Sequence, residues 1–319
     1  MPEYESRPYG STGIVVSPLC VGTSAWQRRG SESDAEHSER IRRLALDIAD
    51  AATSPSSALN FIDTSNEYAG GMSETLIGGI LSQGIWDETM VIQTKLDRDV
   101  TTGDFSGDRM WKSIEETFQR MGVSSVPVLF IHDPENTTFE YAMAPGGPVE
   151  ALVEMKEQGL AKNIGVSGGP AGLMQQFVET DVFDTLINHN RWTLLDRSAD
   201  ELFSAAISRT MGITNAAPFG AGVLTGDPRF ADSYAYGPIS PEARAATIAM
   251  TTICREAGIP LAAAALQFSL REPRVHSTVV GISSAERLEK TLELAREEIE
   301  DDVWAALEKV VPPASAWLG

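Results

Sequence analysis

Leu59-Asn60-Phe61-Ile62-Asp63-Thr64-Ser65-Asn66-Glu67-Tyr68 is an apolar run that ends in a carboxylate, with a tyrosine five positions further on. The apolar part reads as a buried strand. Two later runs stop on ionisable groups in the same way: Met90 to Thr94 leads into Lys95, and Val126 to Ile131 leads into His132. Three successive strands therefore carry Asp, Lys and His at their carboxyl ends, with Tyr68 in the loop beside the first. Charge at the ends of buried parallel strands speaks for chemistry over packing.

Working outward, strand-like runs recur near Leu19–Ser24, Leu59–Thr64, Met90–Leu96, Val126–His132, Asn163–Ser167, Thr185–His189, Gly212–Ala217 and Thr278–Ile282. All are short and nearly continuous, as strands covered on both faces should be. Helical patterns separate them. Ile41, Leu44, Ala45, Ile48, Ala49 and Ala52 lie on one face at helical spacing. Glu74–Leu81, Arg109–Met121, Pro148–Glu157, Gly172–Val178, Asp200–Arg209, Pro241–Ala257 and Ala285–Arg296 fill the other gaps. The alternation predicts an α/β fold, a closed (β/α)8 TIM barrel, as one domain over residues 1–319. The turn in Arg7 to Val15 predicts an N-terminal hairpin plugging the bottom of the barrel. Asp301-Asp302 opens an extra C-terminal helix that Pro312-Pro313 stops. Pro218 to Ser240 is the longest irregular stretch, and its Gly-rich start follows strand seven, where barrels often bind phosphate.

The 319 residues carry a formal net charge of -20 and a pI near 4.6. That acidity argues against nucleic acid or an anionic membrane as a partner. No run is long and apolar enough to span a bilayer, and Met1-Pro2-Glu3-Tyr4-Glu5 lacks the start of a signal peptide. The expected location is cytoplasmic, with Cys20 and Cys254 as buried free thiols. The oligomeric state is left open.

On the barrel's carboxyl face Asp63, Lys95, His132 and Tyr68 converge. Lys95 would pair with Asp63, favour the Tyr68 phenolate and so lower the tyrosine's pKa. His132 would orient a substrate oxygen. The set suits moving a proton at a carbonyl or hydroxyl oxygen, with hydride left to a cofactor. Each residue also has a structural role open to it: capping, solvation or packing. A metal-dependent hydrolase using Asp63, His132, Asp133 and His189 is a rival, weakened by the lack of a close His pair. A Rossmann dehydrogenase fails for want of G-x-G-x-x-G after strand one.

Phe61 to Tyr68 with Gly70-Gly71-Met72-Ser73-Glu74, Thr94-Lys95, Ile131-His132-Asp133, Ile164-Gly165-Val166-Ser167, and Pro260 to Leu270 with Val279 to Arg287 together resemble the aldo-keto reductases over the whole chain. The resemblance implies a catalytic tetrad of Asp63, Tyr68, Lys95 and His132, with Tyr68 as general acid/base and NAD or NADP as cofactor. It implies cofactor contacts from Ser167, His189, Asn190, Pro218, Phe219, Gly220, Gly222, Leu224, Gly281, Ser283 and Arg287, and substrate contacts from Trp26 and Trp192. Asn188 to Arg197, Asn215 to Gly222 and Ala263 to Phe268 are similar to an aldose-oxidising branch of the family. That implies oxidation of an aldose, L-fucose- or D-arabinose-like, at the anomeric carbon to a lactone. The alternatives are turnover of an aldehyde such as pyridoxal, or a non-catalytic subunit that senses nicotinamide.

The chain departs from the family pattern in places. Ala216 stands where an aromatic residue usually stacks on the nicotinamide, which leaves ring positioning to Phe219 or Trp192. Gly168 replaces an asparagine. Gly281 stands where NADP-specific relatives carry a lysine, while Arg287 is kept and Lys290 follows one turn on. The balance tips toward NAD. Ser283 and Ser284 open helix eight, whose free N–H groups suit phosphate or plain capping.

Overall fold

In the computed structural model of residues 5–54 and 59–319, all eight expected strands form. They are β1 (Leu19–Gly22), β2 (Phe61–Asp63), β3 (Val91–Leu96), β4 (Val126–His132), β5 (Ala161–Gly168), β6 (Thr185–His189), β7 (Gly212–Ala216) and β8 (Ser277–Gly281). Each pairs in parallel with the next, and β8 pairs back onto β1 to close the barrel. The (β/α)8 barrel read from the alternation is thus the observed architecture. Met1 to Tyr4, part of the segment read as lacking a signal peptide, lies outside the described residues. Among the described residues no helix is long and apolar enough to cross a membrane.

The helices are α1 (Asp34–Thr53), α2 (Met72–Ser82), α3 (Gly107–Met121), α4 (Phe139–Met143), α5 (Pro148–Glu157), α6 (Ala171–Val178), α7 (Asp200–Ser208), α8 (Pro241–Glu256), α9 (Leu261–Leu270), α10 (Ala285–Arg296) and α11 (Asp301–Glu308). Local chemistry sets their starts. Ser33 and Glu36 form a reciprocal capping box that begins α1 a full two turns before its apolar stripe. Ser106, Ser240 and Ser284 cap α3, α8 and α10. The periodicity misses α9. Leu261-Ala262-Ala263-Ala264-Ala265-Leu266 is apolar all round because the helix is buried on nearly every side, so no polar face reveals its pitch.

The expected plug is a small antiparallel hairpin of Arg7–Pro8 against Val15–Val16. Tyr9 at its tip is fully buried, packs edge-on to Phe61 at the start of β2, and its hydroxyl bonds Thr214 Oγ1 at 2.8 Å. This closes the amino-terminal end and leaves the carboxyl end as the accessible mouth. The long stretch after β7 is more ordered than expected. It holds two 3-10 turns, Gly220–Thr225 and Pro228–Phe230, and a hairpin of Ser233–Tyr234 against Gly237–Pro238. Cys20 and Cys254 are buried free thiols.

Candidate active site

Barrel closure brings the four ionisable strand-end and loop residues together. Asp63 ends β2, Lys95 sits next to last in β3 and His132 ends β4. Lys95 Nζ donates to Asp63 at 2.8 Å, to the Thr64 carbonyl at 2.7 Å and to the Tyr68 hydroxyl at 3.1 Å. An ammonium has three donors, and all three are spent. Gln93 Nε2 adds a bond to Asp63 Oδ1 at 2.9 Å. Lys95 is 1% and Asp63 3% exposed, so the pair is dry. Burial opposes the Lys95 charge, but Asp63 and Tyr68 outweigh it and hold its pKa above the ordinary lysine value.

Tyr68 departs from the expectation that Lys95 would lower its pKa. Burial pushes the phenol up, Lys95 pulls it down, and Asp63 pushes it up again, so the net direction is upward. Lys95 is already neutralised by Asp63, and desolvation of the phenolate dominates. The resting group is therefore a phenol, poised as a proton donor.

The Tyr68 loop is held by a buried polar network. Asn66 Nδ2 donates to the Ser113 carbonyl at 3.0 Å, and Arg120 Nη1 donates to the Asn66 carbonyl at 2.6 Å. Arg120 also reaches Glu74, a fully buried carboxylate that accepts from Thr94 and Thr117. Glu74 in the stretch after Tyr68 thus ties the loop to α3 and β3, while Ser73 Oγ bonds Thr23 and Thr64.

Asp97 is a site residue that the sequence reading did not assign. It is 7% exposed, and its Oδ1 lies 2.6 Å from His132 Nδ1. Its Oδ2 accepts from Ser65 Oγ and from the Glu67 N–H. Lys95-Leu96-Asp97 has the i, i+2 spacing that puts both ends on one face of a strand, which is the signal that could have found it. The His132 ring stands edge-on to Tyr68 with centroids 5.7 Å apart.

A cleft of about 520 Å³ opens over this cluster. Asp63, Tyr68, Lys95, His132, Ser167, His189, Ala216, Pro218, Phe219 and Gly281 line it, together with Asp133, Glu135 and Tyr236. Asp133 Oδ1 is 3.7 Å from His132 Nε2 and 3.8 Å from His189 Nε2, and Glu135 Oε1 is 3.9 Å from His189 Nε2. His132 and His189 hold the Asp133 carboxyl down at about 2 against burial that pushes it up, so it is ionised. Of the four residues weighed as metal ligands, Asp63 is locked by Lys95. The compact group of possible ligand atoms is instead Asp133, Glu135 and His189. Tyr236, on the hairpin tip, is 77% exposed and adopts a left-handed φ of 69° beside Ala235 at 49°. That is the turn type that joins adjacent strands tightly, and it projects the ring over the mouth.

The cleft continues into a second groove that shares Ser24, Ala217, Phe219 and Gly281 with it and adds Gly222, Arg229 and Arg287. The two form an elongated channel with the Asp63, Tyr68, Lys95 and His132 cluster at one end and a guanidinium at the other. Arg287 makes no ion pair among the described residues and rests 5.8 Å over the Phe219 ring. Such a donor set fits an elongated dinucleotide carrying phosphates. Gly281 has room at its Cβ position, with Ala25 at 3.8 Å as its nearest neighbour, so the groove floor stays open.

Six named residues lie elsewhere. Trp26 is fully buried, donates from Nε1 to the Ile282 carbonyl at 2.8 Å and packs against Trp86. Trp192 is 8% exposed and stacks on Phe268 under Arg197 and Arg274. Both are core tryptophans outside the cleft, and the substrate role read for them is withdrawn. So is the role of Trp192 in seating a nicotinamide, which leaves Phe219 as the aromatic on the cleft wall. Asn190 is fully buried behind His189, its Nδ2 3.1 Å from His189 Nδ1. Leu224 is a fully buried core residue. Gly220 is buried under the Tyr234 ring, where a Cβ would come within 2.5 Å. Ser283 Oγ lies outside both grooves and accepts from Arg29 at 2.8 Å.

Comparison with known proteins agrees with this geometry. The family model described as the aldo/keto reductase family matches residues 18–312. An L-galactose dehydrogenase from Arabidopsis thaliana is 27% identical, over 92% of this chain and 88% of the relative. A D-threo-aldose 1-dehydrogenase from a Pseudomonas species is 29% identical, over 78% and 83%. A pyridoxal 4-dehydrogenase from Microbacterium luteolum is 26% identical, over 95% and 96%. Among solved structures, aldo-keto reductase AKR11C1 from Bacillus halodurans in its holo form superposes with a TM-score of 0.77 at 17% identity, over 99% and 98% of the two chains, which bears on the fold alone. This chain belongs to the aldo/keto reductase family and is an NAD(P)-dependent oxidoreductase.

Proposed function

We propose that residues 1–319 act as one barrel domain that oxidises an aldose, L-fucose- or D-arabinose-like, at its anomeric carbon to the lactone. The observation that carries the chemistry is Tyr68, whose hydroxyl lies 3.1 Å from a fully buried Lys95 at the base of the cleft. The bound nicotinamide supplies hydride exchange at the anomeric carbon. The chain's own residues handle the proton. In oxidation the hemiacetal O–H proton passes to the Tyr68 phenolate as the carbonyl forms; in reduction the phenol returns it. Lys95 balances the phenolate charge, and Asp63 keeps Lys95 in place.

The cleft wall supports a hydroxyl-rich substrate. Asp133 is ionised and accepts hydrogen bonds only, Glu135 and His189 stand beside it, and Tyr236 offers an apolar ring face at the mouth. Sugar hydroxyls supply the matching donors. The relatives named as aldose and L-galactose dehydrogenases point the same way. The reverse reaction on an aldehyde, pyridoxal included, is the second reading, favoured by the pyridoxal 4-dehydrogenase that spans nearly the whole chain.

NAD is the proposed cofactor. Gly281 brings no charge to the end of β8, and apart from Arg287 the arginines near the start of α10 are engaged. Arg29 bonds Ser283, and Arg40 bonds Glu32, the Ser283 carbonyl and the Gln27 carbonyl. Initial rates with NAD and NADP across L-fucose, D-arabinose, L-galactose, pyridoxal and simple aldehydes test both claims. Oxidation of aldoses with the higher kcat/KM for NAD is expected; turnover of aldehydes alone refutes the aldose reading. A second expectation concerns pH. The raised Tyr68 means the phenolate is a small, growing fraction at neutral pH. Oxidative kcat/KM therefore rises with pH, about tenfold per unit, from neutrality until the phenol titrates or the fold fails. A flat oxidative profile removes Tyr68 as the base.

A further inference from the structure

His132 Nδ1 faces two acceptors and no donor. Asp97 Oδ1 is at 2.6 Å and Ser65 Oγ at 3.0 Å, while the Ser65 hydroxyl proton is given to Asp97 Oδ2. The Asp97 carboxylate accepts a third bond, from the Glu67 N–H at 2.9 Å. Its backbone is fixed as well, with its N–H on Ser113 Oγ at 3.1 Å and its carbonyl on Arg109 Nε at 3.0 Å. A carboxylate so placed accepts only, so Nδ1 must carry a proton in every state of the ring. That leaves Nε2, on the cleft side, as the nitrogen that changes. With the ring neutral it is an acceptor; with the ring cationic it is a donor.

We infer that Asp97 makes His132 a two-state proton group: the cationic ring donates from Nε2 to a substrate carbonyl, the neutral ring accepts from a substrate hydroxyl, and this choice sets which direction of the reaction the cleft favours. The inference rests on the Tyr68 chemistry proposed above and adds a positioning residue, Asp97, that acts through His132. It also extends the role read for His132 from sequence, where it orients a substrate oxygen.

The groups facing the ring come from four elements. Asp97 and Ser65 hold Nδ1; Asp133, after β4, lies 3.7 Å from Nε2; Tyr68 packs edge-on; and Lys95 is the cation that acts on the ring. His189 and Glu135 stand beyond Asp133. Burial and Lys95 oppose the cationic ring, while Asp97 and Asp133 favour it. The carboxylates prevail, and the His132 pKa lies above the ordinary histidine value. Asp97 in turn lies below the usual carboxylate range, because His132, Ser65 and the Glu67 N–H outweigh its burial.

The chain has four histidines, so nitrogen-15 NMR can follow each ring through a pH titration, with His132→Gln assigning the signal. In wild type, the neutral His132 ring is expected to show a protonated Nδ1 and an unprotonated Nε2; the opposite tautomer overturns the inference with no variant needed. In Asp97→Asn the His132 midpoint is expected to fall by about 1–3 units. Reductive kcat/KM should then fall about tenfold or more near neutral pH and return toward wild type under acid, where the ring charges without Asp97. An unchanged midpoint, or a loss equal at every pH, overturns the inference. Failure of the underlying reading registers differently: it shows as turnover that survives Tyr68→Phe, a variant that leaves the His132 titration in place.

Discussion

Tyr68→Phe is expected to lower kcat by about 10²–10⁴-fold in both directions, with nicotinamide binding unchanged. The phenol is the group in the cleft placed to exchange a proton with a substrate oxygen while hydrogen-bonded to a buried cation. The change deletes one oxygen and leaves the ring, so the edge-on packing against His132 remains. Lys95 loses one of three acceptors and keeps Asp63 and the Thr64 carbonyl, so the stability cost should stay near 1 kcal/mol. Cofactor titration by fluorescence, urea unfolding and initial rates on one preparation separate these effects. Near-full activity in this variant removes Tyr68 as acid/base.

Lys95→Met should be inactive and also markedly less stable, by about 3–5 kcal/mol. It strands the Asp63 carboxylate, 3% exposed, with Gln93 as its remaining side-chain donor. The cost comes from an uncompensated buried charge, more than from the attraction that is lost. Asp63→Asn/Lys95→Met removes both charges and should recover most of the stability while restoring no activity. Urea midpoints for the two single variants and the double variant close the cycle. A double variant as unstable as Lys95→Met alone would show that the lysine contributes through packing, with Asp63 secondary.

The barrel was readable because every strand is short, apolar and punctuated, and because α1, α3 and α10 each show one buried face. Where an element hides its period, the reading fails: α9 is apolar all round, and the Ser233–Pro238 hairpin has only two residues per strand. The cluster was readable because Asp63, Lys95 and His132 lie at the ends of consecutive strands with Tyr68 in the loop after the first, and barrel closure puts such ends on one face whatever the side chains do. Trp26 and Trp192 show the opposite case. A tryptophan near a strand end serves core or cleft equally well, and the choice depends on partners distant in sequence: Ile282 and Trp86 for one, Phe203 and Phe268 for the other.

The amino-acid pattern alone determined the barrel, the order of its strands and the convergence of Asp63, Tyr68, Lys95 and His132, since periodicity and strand ends are local properties. Tertiary structure decided the energetics of those residues. Local sequence does not reveal that Lys95 spends its charge on Asp63, which leaves burial to raise the Tyr68 pKa. Nor does it reveal that Asp97 reaches across from β3 to hold His132 Nδ1, or that the hairpin after β7 carries Tyr236 over the mouth. Desolvation and charge balance depend on everything within a few ångströms of a group, and chain closure assembles that neighbourhood from residues far apart in sequence.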